Sequence, residues 1–143
     1  MSLFSGEYDI KLDGKGRVIL PARIKARIET KTLVVVKGFE PCLDCYIPDE
    51  WNLILQKLGA LNSFVEENRN LQRNIISRSI ELDIDSAGRV VLPQRFLEYA
   101  HITTDAILLG VGNKFELWER KQLDRYQITS SQELSRLAEK LLN

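Results

Sequence analysis

Apolar and polar residues alternate in two short stretches of the chain, Tyr8, Ile10 and Leu12 in one and Ile80, Leu82 and Ile84 in the other. A period of two belongs to a strand with one face in a core and the other in water. Each stretch runs into a turn, Asp13 to Gly16 or Asp85 to Gly88. There the carboxylate can accept hydrogen bonds from the backbone N–H groups that follow it, and the glycine allows a positive φ. Beyond the turns, Val18-Ile-Leu20 and Val90-Val-Leu92 are apolar throughout, which predicts strands buried on both faces. Pro21 and Pro93 then stop the strands and pre-set φ for a short helix. Ile24 and Ile28 form the inward face of the first such helix, Phe96 and Ala100 that of the second.

The two stretches are copies of one unit. Asp13-Gly-Lys-Gly-Arg-Val-Ile-Leu-Pro-Ala-Arg23 returns 72 residues later as Asp85-Ser-Ala-Gly-Arg-Val-Val-Leu-Pro-Gln-Arg95, with seven of eleven positions identical. After each short helix comes another apolar strand (33–36 or 107–109), a Gly turn and a further strand ending at Tyr46-Ile47 or at Trp118. A unit of four strands and one helical turn would expose apolar edges on its own, so the two copies should pair or interdigitate. The expected fold is α+β: two β-hairpin-type repeats interdigitated into one barrel-like core, with flanking helices. The expected divisions are a first repeat over 7–52, a helical segment over 53–78, a second repeat over 79–122 and a C-terminal helix over 123–143.

The flanking helices carry their own signals. Asp49 is placed to cap a helix whose apolar face is Trp51, Leu55 and Leu58, and Ser63 with Glu66 has capping-box spacing ahead of Phe64, Leu71 and Ile75. Arg69 and Arg73 lie four apart on another face of that second helix. Ser130 and Glu133 repeat the box before Leu134, Leu137, Ala138 and Leu141. These helices could cover the barrel or seal a subunit interface, and periodicity does not choose between the two.

Composition narrows the chemistry. A chain of 143 residues, 44% hydrophobic and 28% charged, suits one globular domain. No apolar run reaches the roughly 18 residues of a membrane span, and residues 1–9 lack a signal-peptide layout, so a soluble cytoplasmic protein is expected. Twenty basic and twenty acidic residues cancel, but their distribution is uneven. Residues 11–27 hold six basic side chains, Lys11, Lys15, Arg17, Arg23, Lys25 and Arg27, against the single acid Asp13. The matching stretch 83–99 holds Asp83, Asp85 and Glu98 against Arg89 and Arg95. If the copies divide labour, the first is the one to meet a polyanion. A two-stranded ribbon fits the major groove of DNA, where arginine can bind guanine O6 and N7, so Arg17 or Lys15 is the candidate base reader.

Enzyme chemistry is not indicated: there is one histidine, no nucleophile elbow, no P-loop and no dinucleotide fingerprint. Asp13 and Asp85 each precede an arginine by four residues, and a turn-fixing hydrogen bond is a simpler role for them than paired-carboxylate catalysis. Asp13, Gly16, Asp85, Gly88 and Arg89 are therefore assigned to the turns. Cys42 and Cys45 form a Cys-x-x-Cys that could be half a zinc site or a redox pair. With His101 as the only other soft ligand, and Pro41 and Pro48 bracketing the pair, packing is preferred, and neither metal nor cofactor is expected.

The Asp-x-x-x-Arg-Val-x-Leu-Pro-x-Arg core resembles the SpoVT-AbrB family of swapped-hairpin bacterial transcription factors, and the resemblance covers essentially the whole chain. It is supported by Phe4-Ser-Gly-Glu-Tyr8, Gly38-Phe-Glu-Pro-Cys42 and Gly112-Asn-Lys-Phe-Glu-Leu-Trp118. The resemblance implies a nucleoid-associated regulator that binds promoter direct repeats in double-stranded DNA, upstream of the division and cell-wall gene cluster and of its own gene. It also implies a ring-shaped homo-oligomer. The family's Asp-x-x-x-Arg falls on Asp13 and Arg17 and again on Asp85 and Arg89. Ser86-Ala87 replaces Gly14-Lys15 in the second copy, which points that copy toward a scaffold role. The alternative function is a ring-forming scaffold or interaction protein without specific DNA binding.

Overall fold

The computed structural model describes residues 3–142. The first copy supplies β1 (Phe4–Lys11), β2 (Arg17–Ile19), α1 (Ala22–Lys25), β3 (Thr32–Lys37) and β4 (Leu43–Tyr46), followed by α2 (Pro48–Gly59) and α3 (Glu66–Ile76). The second supplies β5 (Ser79–Asp83), β6 (Arg89–Val91), α4 (Gln94–Tyr99), β7 (Asp105–Gly112) and β8 (Phe115–Trp118), then α5 (Arg120–Tyr126) and α6 (Ser131–Leu142). The expected divisions after residues 52 and 122 fall inside α2 and α5.

Six strands form one antiparallel sheet in the order β1-β7-β8-β4-β3-β5, and β2 pairs with β6 in a separate ribbon. Replacing each strand by its counterpart from the other copy gives the same order read backwards, so the repeat is folded about an internal two-fold. Apart from the β3–β4 and β7–β8 hairpins and an isolated bridge from Leu12 to Val18, every pairing joins one copy to the other. β1 lies on β7 from Phe4↔Gly112 to Lys11↔Asp105, β5 lies on β3 from Thr32↔Asp83 to Val36↔Ser79, and Val18 faces Val90 at the ribbon's centre. The two copies therefore interdigitate. They do not close a barrel: β1 and β5 are open edges of the sheet.

The molecule is layered. On one sheet face Val18, Leu20, Ile24, Leu92 and Phe96, from the ribbon and short helices, pack with Leu33, Val35, Leu43, Leu108, Phe115 and Leu117 in one continuous core. On the other face Trp51 of α2 packs with Val34, Val36 and Tyr46, and Leu123 of α5 with Ile107 and Trp118. The strands enclosed on both sides are thus β3, β4, β7 and β8. For β2 and β6 that expectation fails, because Ile19 is 63% and Val91 54% exposed. The ribbon is an outer layer, so alternation turns Val18 and Val90 inward and leaves their neighbours facing out.

Two helix starts also differ from expectation. α2 begins after Ile47 with Pro48 in its first turn and no side-chain cap; Asp49 sits inside that turn, where its charge complements the helix dipole. α3 begins after Val65, again without a side-chain cap. Ser63 contributes its carbonyl to Arg69 Nη1 at 3.0 Å, while Asn62 Oδ1 accepts from the Phe64 N–H at 3.0 Å. Ser130 does cap α6, accepting from the Glu133 N–H at 3.3 Å. Neither α3 nor α6 has a buried residue, and Phe64 is 93% exposed. Among the described residues, no helix is long and apolar enough to cross a membrane.

Candidate nucleic-acid interface

Both turns are built alike. Asp13 Oδ1 accepts from the backbone N–H of Lys15 at 2.8 Å and of Arg17 at 3.0 Å, and Oδ2 accepts from Arg17 Nε at 2.6 Å. Asp85 repeats this with Ala87 at 2.9 Å, Arg89 at 2.8 Å and Arg89 Nε at 2.7 Å. Four residues is the spacing that lets one carboxylate hold both the turn and the arginine beyond it. The Arg17 N–H, then its guanidinium, hold the Asp13 carboxyl down at about 2, and the same two groups of Arg89 lower Asp85. Each lock is therefore charge-assisted at neutral pH. Nε makes the lock, so neither terminal guanidinium nitrogen is needed for it.

The turns are also tied across the copies. Gly16 (φ +77°) accepts from the Leu92 N–H at 2.9 Å, and Gly88 (φ +79°) from the Leu20 N–H at 3.0 Å. The ribbon thus extends into both turns, and its register places Arg17 opposite Val91 and Ile19 opposite Arg89. These four side chains share the outward face, with the arginines on one diagonal and the apolar pair on the other. Sequence reasoning missed this: it set Arg17 and Arg89 in different halves with different tasks, whereas cross-copy pairing brings them onto one surface. The even spacing from Arg17 to Ile19, against buried Val18, was the signal available.

The six basic residues of 11–27 do not form a single patch. Lys15 and Arg17 stand at the first turn, whereas Lys11, at the end of β1, lines a recess with Ile19 and Ala22 and with Glu7 and Asp9. Lys25 crosses to the second turn, where its Nζ donates to the Ser86 carbonyl at 3.4 Å. Leu97, its counterpart, lies against Gly16. Arg23 and Arg27 line a recess with Leu3, Phe4 and Tyr8 at the start of β1, away from the turns.

Cys42 and Cys45 part ways. Cys42 packs with Ile107, Trp118 and Leu123, whereas Cys45 lies in the main core on the other sheet face. Cys42 instead approaches Asp44, 3.8 Å from Sγ to Oδ1, and with Glu116 gives three donor atoms within 4.8 Å of one another. Lys114 supplies the cation here, 3.2 Å from Asp44 and 3.8 Å from Glu116. Burial, then the Asp44 charge, pushes the Cys42 thiol well above its usual value. The cluster is an internal ion pair under the sheet.

The fold and its paired Asp–Arg turns define an internally duplicated swapped-hairpin protein, in which one chain supplies both halves of the ribbon. The family model for the MraZ protein, described as antitoxin-like, matches twice, over residues 3–74 and 75–143. The chain belongs to the MraZ family. It is 39% identical to a protein of Cytophaga hutchinsonii named transcriptional regulator MraZ, over 99% of this chain and 96% of the relative. Proteins of the same name from Pseudomonas fluorescens SBW25 and Pseudomonas putida GB-1 are 40% and 37% identical, over 85% and 93% of this chain and 83% and 89% of theirs.

Proposed function

We propose that this chain is a sequence-specific DNA-binding transcriptional regulator whose β2–β6 ribbon enters the major groove. The observation that carries the reading is the outward ribbon face, where Arg17 and Arg89 are held by ionised aspartates and flanked by Lys15 and Lys25. A ribbon of this width fits the groove, and terminal guanidinium nitrogens can bind guanine O6 and N7 while the lysines meet phosphates. Both copies then touch DNA, rather than one serving as scaffold. Arg23 and Arg27 lie outside the face and have no base-reading role.

The regulator acts in the cytoplasm, at the nucleoid, on promoter direct repeats ahead of the division and cell-wall gene cluster, its own promoter included. It works as a homo-oligomer, in a ring. What supports assembly is the apolar stripe of α6, where Leu134 and Leu141 are 57% and 84% exposed. Several ribbons along one duplex multiply effective concentration and counterion release, which offsets a net charge of zero.

The test is fluorescence anisotropy of a duplex from upstream of the protein's own gene against a scrambled duplex, at two salt concentrations. The upstream duplex should bind more tightly, with affinity falling as salt rises. Arg17→Ala and Arg89→Ala should each weaken specific binding roughly tenfold or more, the loss of one bidentate guanine contact. Equal, weak binding to both duplexes would overturn the reading and favour a ring-forming scaffold.

A further inference from the structure

Resting on the DNA-binding reading above, we propose that Ile19 and Val91 are specificity-determining residues that recognise thymine methyl groups beside the two arginine contacts. Ile19 and Val91 are 63% and 54% exposed, while Val18 and Val90 beside them are 1% and 2% exposed. Their exposure follows from strand alternation, and it places a β-branched pair on one diagonal of a surface whose other diagonal is the two arginines. Arg17 is opposite Val91 and Arg89 opposite Ile19.

The dimensions suit a base-reading role. Two residues along a strand span roughly 6.7 Å and the neighbouring strand lies roughly 4.8 Å away. That step matches about two base-pair rises of roughly 3.4 Å each. An arginine and an apolar side chain on each strand can thus face base pairs two steps apart.

Chemistry then selects the base. The thymine C5-methyl is the one apolar group on the floor of the major groove, and setting Ile19 or Val91 against a polar edge would strip that edge of water with no hydrogen bond in return. Charge selects DNA over a second copy of this chain as the occupant. Lys15 and Arg17 at one end of the ribbon and Arg89 and Lys25 at the other frame the apolar pair with cations, which suits a polyanion; Lys11 lies in the recess beside Ile19 with Glu7 and Asp9, whose carboxylates are ion-paired to Arg120. The ribbon therefore combines guanine contacts at Arg17 and Arg89 with thymine-methyl contacts at Ile19 and Val91.

The experiment uses the full chain and a duplex selected from a random pool by binding to it, with thymines replaced singly by deoxyuridine. That replacement removes only a methyl and leaves base pairing and every hydrogen-bonding group intact. For the wild type, one or two thymines should each show about a fourfold loss of affinity, the transfer of one methyl-sized group. Ile19→Ala and Val91→Ala should keep the circular-dichroism melting curve, since both side chains are exposed, and should bind the thymine and uracil duplexes alike at those positions. Specific binding that ignores uracil at every thymine would overturn the inference while leaving the DNA-binding reading standing. So would Ile19→Ala that retains the discrimination and instead lowers the assembly's mass in light scattering. Selection of no preferred sequence at all would overturn both.

Discussion

Gly16→Ala should destabilise the protein more than Gly88→Ala, although the two glycines occupy equivalent places in the repeat. Their φ angles are +77° and +79°, so an L side chain meets the same left-handed backbone cost in each, about 1–2 kcal/mol. The surroundings differ. A Cβ at Gly16 would sit 2.9 Å from the Leu92 backbone oxygen, whereas at Gly88 the 2.9 Å contact is with Lys25 Cδ. The lysine chain can swing aside and give up its 3.4 Å bond to Ser86. The Leu92 carbonyl cannot yield without moving the end of β6 and straining the 2.9 Å bond from the Leu92 N–H to Gly16, which adds about 1 kcal/mol. The expected losses are about 2–3 kcal/mol for Gly16→Ala and about 1–2 kcal/mol for Gly88→Ala. For a chain of this size, a gap near 1 kcal/mol is about 3–4 °C in Tm. Thermal unfolding followed by circular dichroism at matched protein concentration measures it, since assembly makes Tm concentration-dependent. Equal losses, or a larger loss at Gly88, would show that the cross-copy contact at Gly16 is not rigid.

Three further outcomes follow from the same structure. The depressed Asp13 carboxyl contributes stability that is complete above its ordinary value of 3.8 and is lost as pH falls toward its folded value of about 2, so acid unfolding should steepen there and Asp13→Asn should lack that component. Burial raises Asp44 against the opposing pull of Lys114, so Lys114→Met leaves a carboxylate nearly enclosed. Urea unfolding should show a loss of about 3 kcal/mol at neutral pH, shrinking in acid as Asp44 takes up a proton; a pH-independent loss would mean simple packing damage. Leu134→Glu with Leu141→Glu should lower the mass in light scattering while leaving the circular-dichroism spectrum of the folded chain unchanged, because α6 buries nothing within the chain. An unchanged mass would remove α6 from the assembly surface.

The duplication has a mechanical consequence. A swapped-hairpin ribbon assembled from two chains has identical ends, whereas here one chain supplies both strands and the ends can diverge. They have done so: Lys25 lies over the second turn where Leu97 lies over the first. Covalent linkage also makes ribbon formation independent of protein concentration, since β2 and β6 meet within one molecule.

Local patterning by itself determined much of this protein. The repeat, the strands around Ile10 and Ile80, the Asp-to-Arg spacing, the short helices after Pro21 and Pro93 and the capping of α6 by Ser130 all depend on residues within a few positions of one another. Their chemistry is written in order along the chain. Interdigitation was legible too, because neither copy can bury its apolar strands alone. Tertiary structure decided what depends on residues about seventy positions apart. An apolar run such as Val18-Ile-Leu20 looks the same whether covered on two faces or on one; only its place in the outer layer exposes Ile19. Asp49 and Ser63 carry capping chemistry, but the entry of the chain from Ile47 and Val65 set the helix starts. Cys42 and Cys45 are three apart, and strand alternation sent them to opposite faces of the sheet. Arg17 and Arg89 share one surface because hydrogen bonds between the copies set the ribbon register, and no local pattern records which strand a given strand will pair with.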